Sequence, residues 1–422
     1  MKRADRTPSS TPPAPVPMRW DGPTTPDRRL ASLFTKRSLT EPSKATSVGI
    51  VSTYPPTHCG IAAFTASLTD ALLAGTPSIS VGIVRVGSEP GSEPDPHVIH
   101  EISGQTAADS RAAARVLNKF DVAIIHHDYE IYGGADGDQV LDILAWLLIP
   151  VVLVVHTVYS EPTPHQRFVM EKLTDSADAV VVMSQSGRSR LLDNYPVEPR
   201  KIMLIPHGAS VGDQVIRATR RAPRPTVLTW GLLRPGKGIE WGIDAMSAIS
   251  QDLPRPRYVV AGQTHPQVLA AEGERYREFL VRRAESQGMG HLVEFESGFI
   301  SPRRLHELLG EADVVLLPFD SREQVTSGVL TQAMASMIPV VSTSFPHAVE
   351  LLGDGRGGML VPHKEPAAIA AALTTILATP DLATAMSAHN ATMADIVSWP
   401  NVAGHYRQLF NALMRRPQAT RL

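Results

Sequence analysis

Asp313 to Thr343 reads DVVLLPFDSREQVTSGVLTQAMASMIPVVST. Val314 to Leu317 is a short apolar run of the kind required of a strand covered on both faces. Past Thr326, Ser327 and Gly328 the period changes: Val329, Leu330, Ala333, Met334 and Met337 recur at helical spacing. Pro339 ends that helix, and Val340-Val341 resumes a buried strand. Strand, small-residue turn, helix and strand in this order make a parallel crossover unit. The turn has a second meaning. A helix start gathers unpaired N–H groups and the positive end of the dipole, and small residues there let an anion come close. No acidic or basic residue lies between Thr326 and Ser344, so charge that complements an anion must come from elsewhere in the chain.

The same alternation extends in both directions. VGIVST (48–53), SVGIVRV (80–86), VAIIHH (122–127), VVLVVH (151–156) and AVVVMS (179–184) read as buried parallel strands separated by amphipathic stretches. The series resumes with TVLTWG (226–231), RYVVAG (257–262), LVEFES (292–297), DVVLLP (313–318) and PVVST (339–343). The polar, Arg- and Pro-rich segment RATRRAPRPT (217–226) separates the two series and reads as a linker. The pattern predicts an α/β protein of two doubly wound parallel-sheet domains, with a cleft between the carboxyl ends of their strands.

Composition narrows the function classes. The 422 residues are 43% apolar and 19% charged with a formal net charge of −2, which gives no reason to expect nucleic acid as a partner. The single cysteine, Cys59, excludes an intramolecular disulfide, argues against a cysteine-based metal site and fits a reducing compartment. The longest apolar run, Ile143 to Val155, is broken by Pro150 and falls short of the ~20 residues a membrane helix needs. No apolar core of a signal peptide stands at the N-terminus, so a cytoplasmic protein is expected. Residues 1–45 hold eight prolines, nine Lys or Arg and four Asp or Glu without apolar periodicity. They read as a disordered basic tail, with electrostatic contact to an anionic membrane surface as the functional alternative.

Several motifs carry chemistry with more than one reading. In TYPPTHCGIAAFTASLTDALL (53–73), Gly60 opens a helix, where it either admits a ligand against the backbone or makes a plain tight turn. No G-x-G-x-x-G is present, which argues against a nicotinamide or flavin site. In IIHHDYEIYGGADGDQVLDIL (124–144), His126, His127, Asp128 and Glu130 follow a strand end. Asp136 and Asp138 add to the metal-ligating types, but a single loop without compact ligand spacing is a weak metal site, and none is expected. Asp138 reads more simply as the cap of the helix that follows. His156 ends a very apolar strand. It either points into the cleft to exchange hydrogen bonds with a hydroxyl or bonds a carbonyl in the core. In TWGLLRPGKGIEWGIDAM (229–246), Arg234 and Lys237 precede a helix start, as a diphosphate clamp would, or as a solvated turn.

Taken in order, CGIAAFT, the HT after the fourth strand, IPHGAS, GLLRPGKGIE, ADVVLLPF, SGVLTQAMASMIPVV and VSWPNVAGHY resemble the retaining glycosyltransferases of family 4, which have the two-domain GT-B fold. The resemblance runs from about Ser47 to Arg416. It implies an N-terminal acceptor-side domain at 46–216, a nucleotide-sugar-binding domain at 217–398 and a closing helix at 399–422 that returns to the first domain. It implies that Lys237 contacts the donor diphosphate, that Gly60 lies near that diphosphate and that His156 stands beside the reacting sugar. Thr326, Ser327, Gly328 and Val329 match the helix start that binds donor phosphate or sugar. Two positions depart from the family. Leu232 replaces the arginine after the glycine of the phosphate loop, with Arg234 two residues on. Gln324 and Gln332 replace the E-x7-E pair, whose first member lies by the sugar and whose second accepts from the ribose. Glu323 lies one residue off the first of these. An amide still accepts a hydrogen bond but carries no charge, so Gln332→Glu should be tolerated and tighten donor binding.

The function this resemblance implies is retaining, metal-independent transfer of a hexose from a nucleoside-diphosphate sugar of the GDP-mannose or UDP-glucose type. The acceptor would be a hydroxyl of a sugar, glycan or glycolipid, and no cofactor is needed beyond the donor. The alternatives are an inactive family member that binds and regulates a partner, and a GT-B phosphorylase or sugar-nucleotide epimerase.

Overall fold

The computed structural model describes residues 47–75, 77, 79–87, 94–104, 106–211, 224–249 and 254–415. The basic tail and most of the expected linker, 217–223, lie outside the described residues.

The first sheet is parallel throughout. Its strands are β1 (Ser47–Ser52), β2 (Ser80–Val86), β3 (Val98–Ile102), β4 (Val122–His127), β5 (Val151–Val155), β6 (Ala179–Val182) and β7 (Ile202–Leu204), in the order β3-β2-β1-β4-β5-β6-β7. The second contains β8 (Thr226–Trp230), β9 (Arg257–Ala261), β10 (Val293–Glu296), β11 (Val314–Leu317), β12 (Val340–Thr343) and β13 (Gly358–Val361), in the order β10-β9-β8-β11-β12-β13, again parallel. The fold is thus α/β with two doubly wound parallel sheets, the architecture that the family resemblance implies. The ten expected strands all form. β3, β7 and β13 were not anticipated, and each is a sheet edge. An edge strand is only half covered, so β3 alternates partly buried and exposed residues rather than showing a continuous apolar run.

In each sheet the strand order reverses between the first strand and its fourth-strand partner, at β1/β4 and at β8/β11. Loops at such a switch point diverge and leave a crevice at the carboxyl ends of the strands. The loop after β1 carries Gly60, β4 ends in His126 and His127, the loop after β8 carries Lys237, and the loop after β11 carries Ser327.

The chain passes between the two sheets twice, and the passages are paired. Ala209 N–H donates to Val397 O at 2.7 Å, and Trp399 N–H donates to Ala209 O at 3.3 Å. The last helix, Trp399–Met414, then buries Val402, Ala403, Tyr406 and Phe410 in the core of the first sheet, together with Phe64 and Leu68 of the helix Gly60–Ala74.

Two carboxylates bind the second sheet's segments to one helix of the first, Gln185–Asn194. Glu350 accepts from the N–H groups of Gln185 and Ser186 at 2.8 and 2.9 Å, and from the Ser186 hydroxyl at 2.8 Å. An anion at a helix N-terminus is favoured by the dipole. Glu323 takes the N–H and hydroxyl of Ser160 at 2.8 and 2.7 Å and pairs with Arg190 at 2.9 Å. Among the described residues no single helix is long and apolar enough to cross a membrane.

Candidate functional site

The N-terminal side of the site is built around Phe64. Cys59 caps its helix, accepting from Ala62 N–H at 3.3 Å, and the space where a side chain on Gly60 would begin is open. One turn on, the fully buried Phe64 ring meets four others edge-on: His126, His156, His207 and Trp399, with centroids 5.2, 5.3, 4.9 and 5.1 Å away. His126 Nδ1 and His156 Nε2 share a hydrogen bond of 3.0 Å. His156 is therefore partnered by another imidazole rather than by a carbonyl. Burial disfavours the charged form of all three histidines: it takes His126 well below its ordinary value, His156 to about 3 and His207 to about 4. These rings are neutral at neutral pH and can exchange hydrogen bonds without supplying charge.

The C-terminal side supplies the charge. Gly238 adopts φ +64, and any side chain there would collide with the Pro318 carbonyl. The loop after β8 is thereby pressed onto the loop after β11, where Asp320 N–H also donates to Gly236 O at 2.9 Å. Lys237 Nζ consequently stands 4.3 Å from the centre of the Phe319 ring. Burial, and secondarily the Arg234 cation, bring the Lys237 ammonium down from 10.5 to about 8. Among the described residues no carboxylate pairs with it. Arg234 is exposed on the same loop.

The helix Gly328–Ala335 begins against the start of the same loop, where Gly231 faces Val329. Ser327 caps it, accepting from Leu330 N–H at 3.2 Å, while Ser327 N–H donates to His347 Nδ1 at 2.9 Å. The N–H groups of Gly328 and Val329 belong to the first turn, where no earlier helical carbonyl exists to receive them. The helix stops at Ala335, before the expected Met337, because Met337 takes a left-handed φ of +59.

His207 joins the two sides. Its Nδ1–H donates to Gly208 O at 2.7 Å, which leaves Nε2 as the acceptor, and the ring lies directly against Gly328. In the sequence its one signal is its place in IPHGAS, where the family has I-P-N-G.

The glutamines and their acidic neighbour are committed elsewhere than expected. Gln324 Nε2 donates to Thr326 O at 3.0 Å. Gln332 accepts from Ser210 N–H at 2.9 Å and donates to Ser210 O at 2.8 Å, so its amide faces a backbone segment. Glu323 is turned to Ser160 and Arg190. Burial pushes its carboxyl up, but the two Ser160 hydrogen bonds and Arg190 outweigh that and hold it below the usual range. Asp138 stands at the head of its helix without a side-chain cap. With Asp136 it faces His165 instead, at 3.5 and 2.9 Å. Among the described residues no three His, Cys, Asp or Glu side chains are grouped to hold a metal ion. The structure therefore brings Gly60, His156 and the 326–329 turn together through Phe64 and His207. It sets Lys237 and Arg234 on the adjoining loop, and it directs Gln324 and Gln332 onto backbone.

Two doubly wound parallel sheets, a helix start free of acidic groups and, on a neighbouring loop, a lysine without a carboxylate partner among the described residues agree with the expected GT-B architecture. Glycosyltransferase Family 4 matches residues 61–212, and Glycosyl transferases group 1 matches residues 224–379. The chain belongs to this family and is a glycosyltransferase. It is similar to the D-inositol 3-phosphate glycosyltransferase of Corynebacterium glutamicum, at 28% identity over 302 residues, 64% of this chain and 69% of that protein. The protein of the same name from Corynebacterium efficiens is 25% identical over 345 residues, 74% of this chain and 76% of that protein. Among solved structures, sucrose-phosphate synthase from Thermosynechococcus elongatus shares the fold with a TM-score of 0.70, 20% identity and coverage of 87% of this chain and 100% of the other. Anabaena Alr3699/HepE in complex with UDP-glucose does so with a TM-score of 0.68, 14% identity and coverage of 87% and 99%.

Proposed function

We propose that this glycosyltransferase moves a hexose, with retention, from a nucleoside-diphosphate sugar to a hydroxyl of a sugar, glycan or glycolipid acceptor. The observation that carries the reading is Lys237, a half-buried ammonium without a carboxylate partner among the described residues, on a loop whose first residue, Gly231, comes against Val329 in the first turn of the helix Gly328–Ala335. Burial makes such a cation costly unless an anion completes it, and a diphosphate does so. The UDP-glucose bound by Alr3699/HepE supports a UDP-sugar as donor. The relatives named for D-inositol 3-phosphate support a small polyhydroxylated acceptor.

In this mechanism Lys237, Arg234 and the N–H groups of Gly328 and Val329 stabilise the diphosphate as it leaves. The acceptor hydroxyl attacks the same face, and a donor phosphate oxygen takes its proton, so no protein base is required. His156, neutral because it is buried, exchanges hydrogen bonds with the transferred sugar. The cations and the helix start carry the neutralisation, and the reaction needs no divalent metal. Calorimetry of the wild type and Lys237→Ala with UDP-glucose and GDP-mannose tests the reading. Binding should appear with one donor class and fall at least tenfold in the variant, while unchanged affinity in a folded variant would remove Lys237 from the site.

A second reading is favoured by one observation, that Gln324 and Gln332 replace two carboxylates and both amides are engaged by backbone. It is a family member that binds the donor without turning it over. Release of UDP or GDP by the purified protein, with and without acceptor, separates the two.

A further inference from the structure

We infer that Gln332 is a positioning residue whose carboxamide clips the crossing between the two domains, and that an amide is required because the clip must accept and donate at once. Ser210 lies on the first passage between the sheets, next to Ala209, which is paired with Val397 and Trp399 of the return passage. Gln332 Oε1 takes the Ser210 N–H and its Nε2 supplies the Ser210 carbonyl, with a further bond from Nε2 to Ser336 Oγ at 3.2 Å. One residue's two backbone groups are thus read by one side chain.

The clip reaches the active helix. Gln332 is one turn after Gly328, and His207, three residues before Ser210, rests on Gly328. The segment 207–210 therefore touches the helix at its start and again one turn later. Holding Ser210 holds His207 in register with the turn where the donor diphosphate is read. An ionised carboxylate at 332 could still accept from the Ser210 N–H. Its second oxygen would then oppose the Ser210 carbonyl, two acceptors without a proton between them. This is opposite to the expectation from the family pattern, in which an acid at this position tightens donor binding.

The test compares full-length wild type, Q332E and Q332M from about pH 4, where an exposed glutamic acid is largely protonated, to about pH 8. The thermal arm needs no donor; only the kinetic arm rests on the proposed function. Both contacts with Ser210 are solvent-exposed, so effects are modest. At the upper pH, Q332E should lower Tm by roughly 1–3 °C and raise donor KM roughly two- to fivefold with a smaller change in kcat. As pH falls, the introduced carboxyl gains a proton, can donate to the Ser210 carbonyl, and both deficits should shrink. Q332M, which can do neither, should keep a constant deficit. A Q332E protein with wild-type Tm at about pH 8 and tighter UDP-glucose binding would overturn the inference in favour of a ribose-reading role. Loss of wild-type turnover with the pH-dependent Tm pattern intact would instead count against the transfer reading and leave the clip standing.

Discussion

The imidazole of His207 lies against the α-carbon of Gly328: a side chain on that glycine would begin 2.7 Å from both Cε1 and Nε2 of the ring. A segment leaving the first sheet thus closes over the start of the helix Gly328–Ala335. The space beside Gly328 is bounded by protein, and a ligand reaching that helix start meets His207.

Substitution at Gly328 should therefore act through two effects. Gly328→Ala forces the ring aside and Gly328→Val forces it further, in addition to narrowing the approach of the donor. We expect donor affinity to fall more than tenfold in Gly328→Val, with a lowered Tm. The pair H207A/G328A should recover much of the Tm lost in Gly328→Ala alone. Additive losses in that double-mutant cycle would show that the two residues do not interact.

Lys237 sets a pH dependence of known sign. Its folded-state value, about 8, lies below the ordinary 10.5, so the unfolded chain binds the extra proton between them. Stability of the unliganded protein from this group should rise with pH through that window, the penalty of burying the charge being full below about 8. Donor binding should weaken over the same range, because the deprotonated amine no longer pairs with the diphosphate. Urea titrations and calorimetry at successive pH values check both trends, and Lys237→Met should flatten them.

Glu323 has the opposite sign. Its carboxyl is held below the ordinary 4.5, so its contribution is present above that value and is lost as pH falls through the depressed one. Glu323→Gln should lower Tm at neutral pH by about 1–3 °C, and the gap to wild type should close in acid. A gap that persists unchanged in acid would mean that the Ser160 and Arg190 contacts do not depend on the charge.

Transfer activity should survive excess EDTA under the proposed mechanism, in which Lys237, Arg234 and the helix start meet the charge of the leaving group. Loss on chelation with recovery in Mn²⁺ or Mg²⁺ would contradict this and direct attention to Asp136, Asp138 and His127.

All the strands that escaped the sequence reading are sheet edges, although β10, also an edge, was read from its alternating VEFE. β1, β4, β5, β8 and β11 are interior, covered on both faces, and their unbroken apolar runs declare them. β3, β7 and β13 are edges: β3 mixes polar and apolar residues where its outer side meets solvent, and β7 and β13 are runs of only three and four residues, too short for a period to show. Gly60, Lys237 and the 326–329 turn were legible for a related reason. Each is a local strand-to-helix junction, with its small residues or cations contiguous in sequence.

Chain order and local period dictated two parallel α/β sheets, because a buried strand and an amphipathic helix are each written in a few neighbouring residues. The same local chemistry placed small residues and cations at the loops after β1, β8 and β11. The destinations of Glu323, Gln332 and His207 were decided by tertiary structure. Glu323 crosses to Ser160, Gln332 to Ser210 and His207 to Gly328, partners more than a hundred residues away. Whether a side chain faces a ligand or a distant backbone group depends on how the two sheets meet, and no local period encodes that.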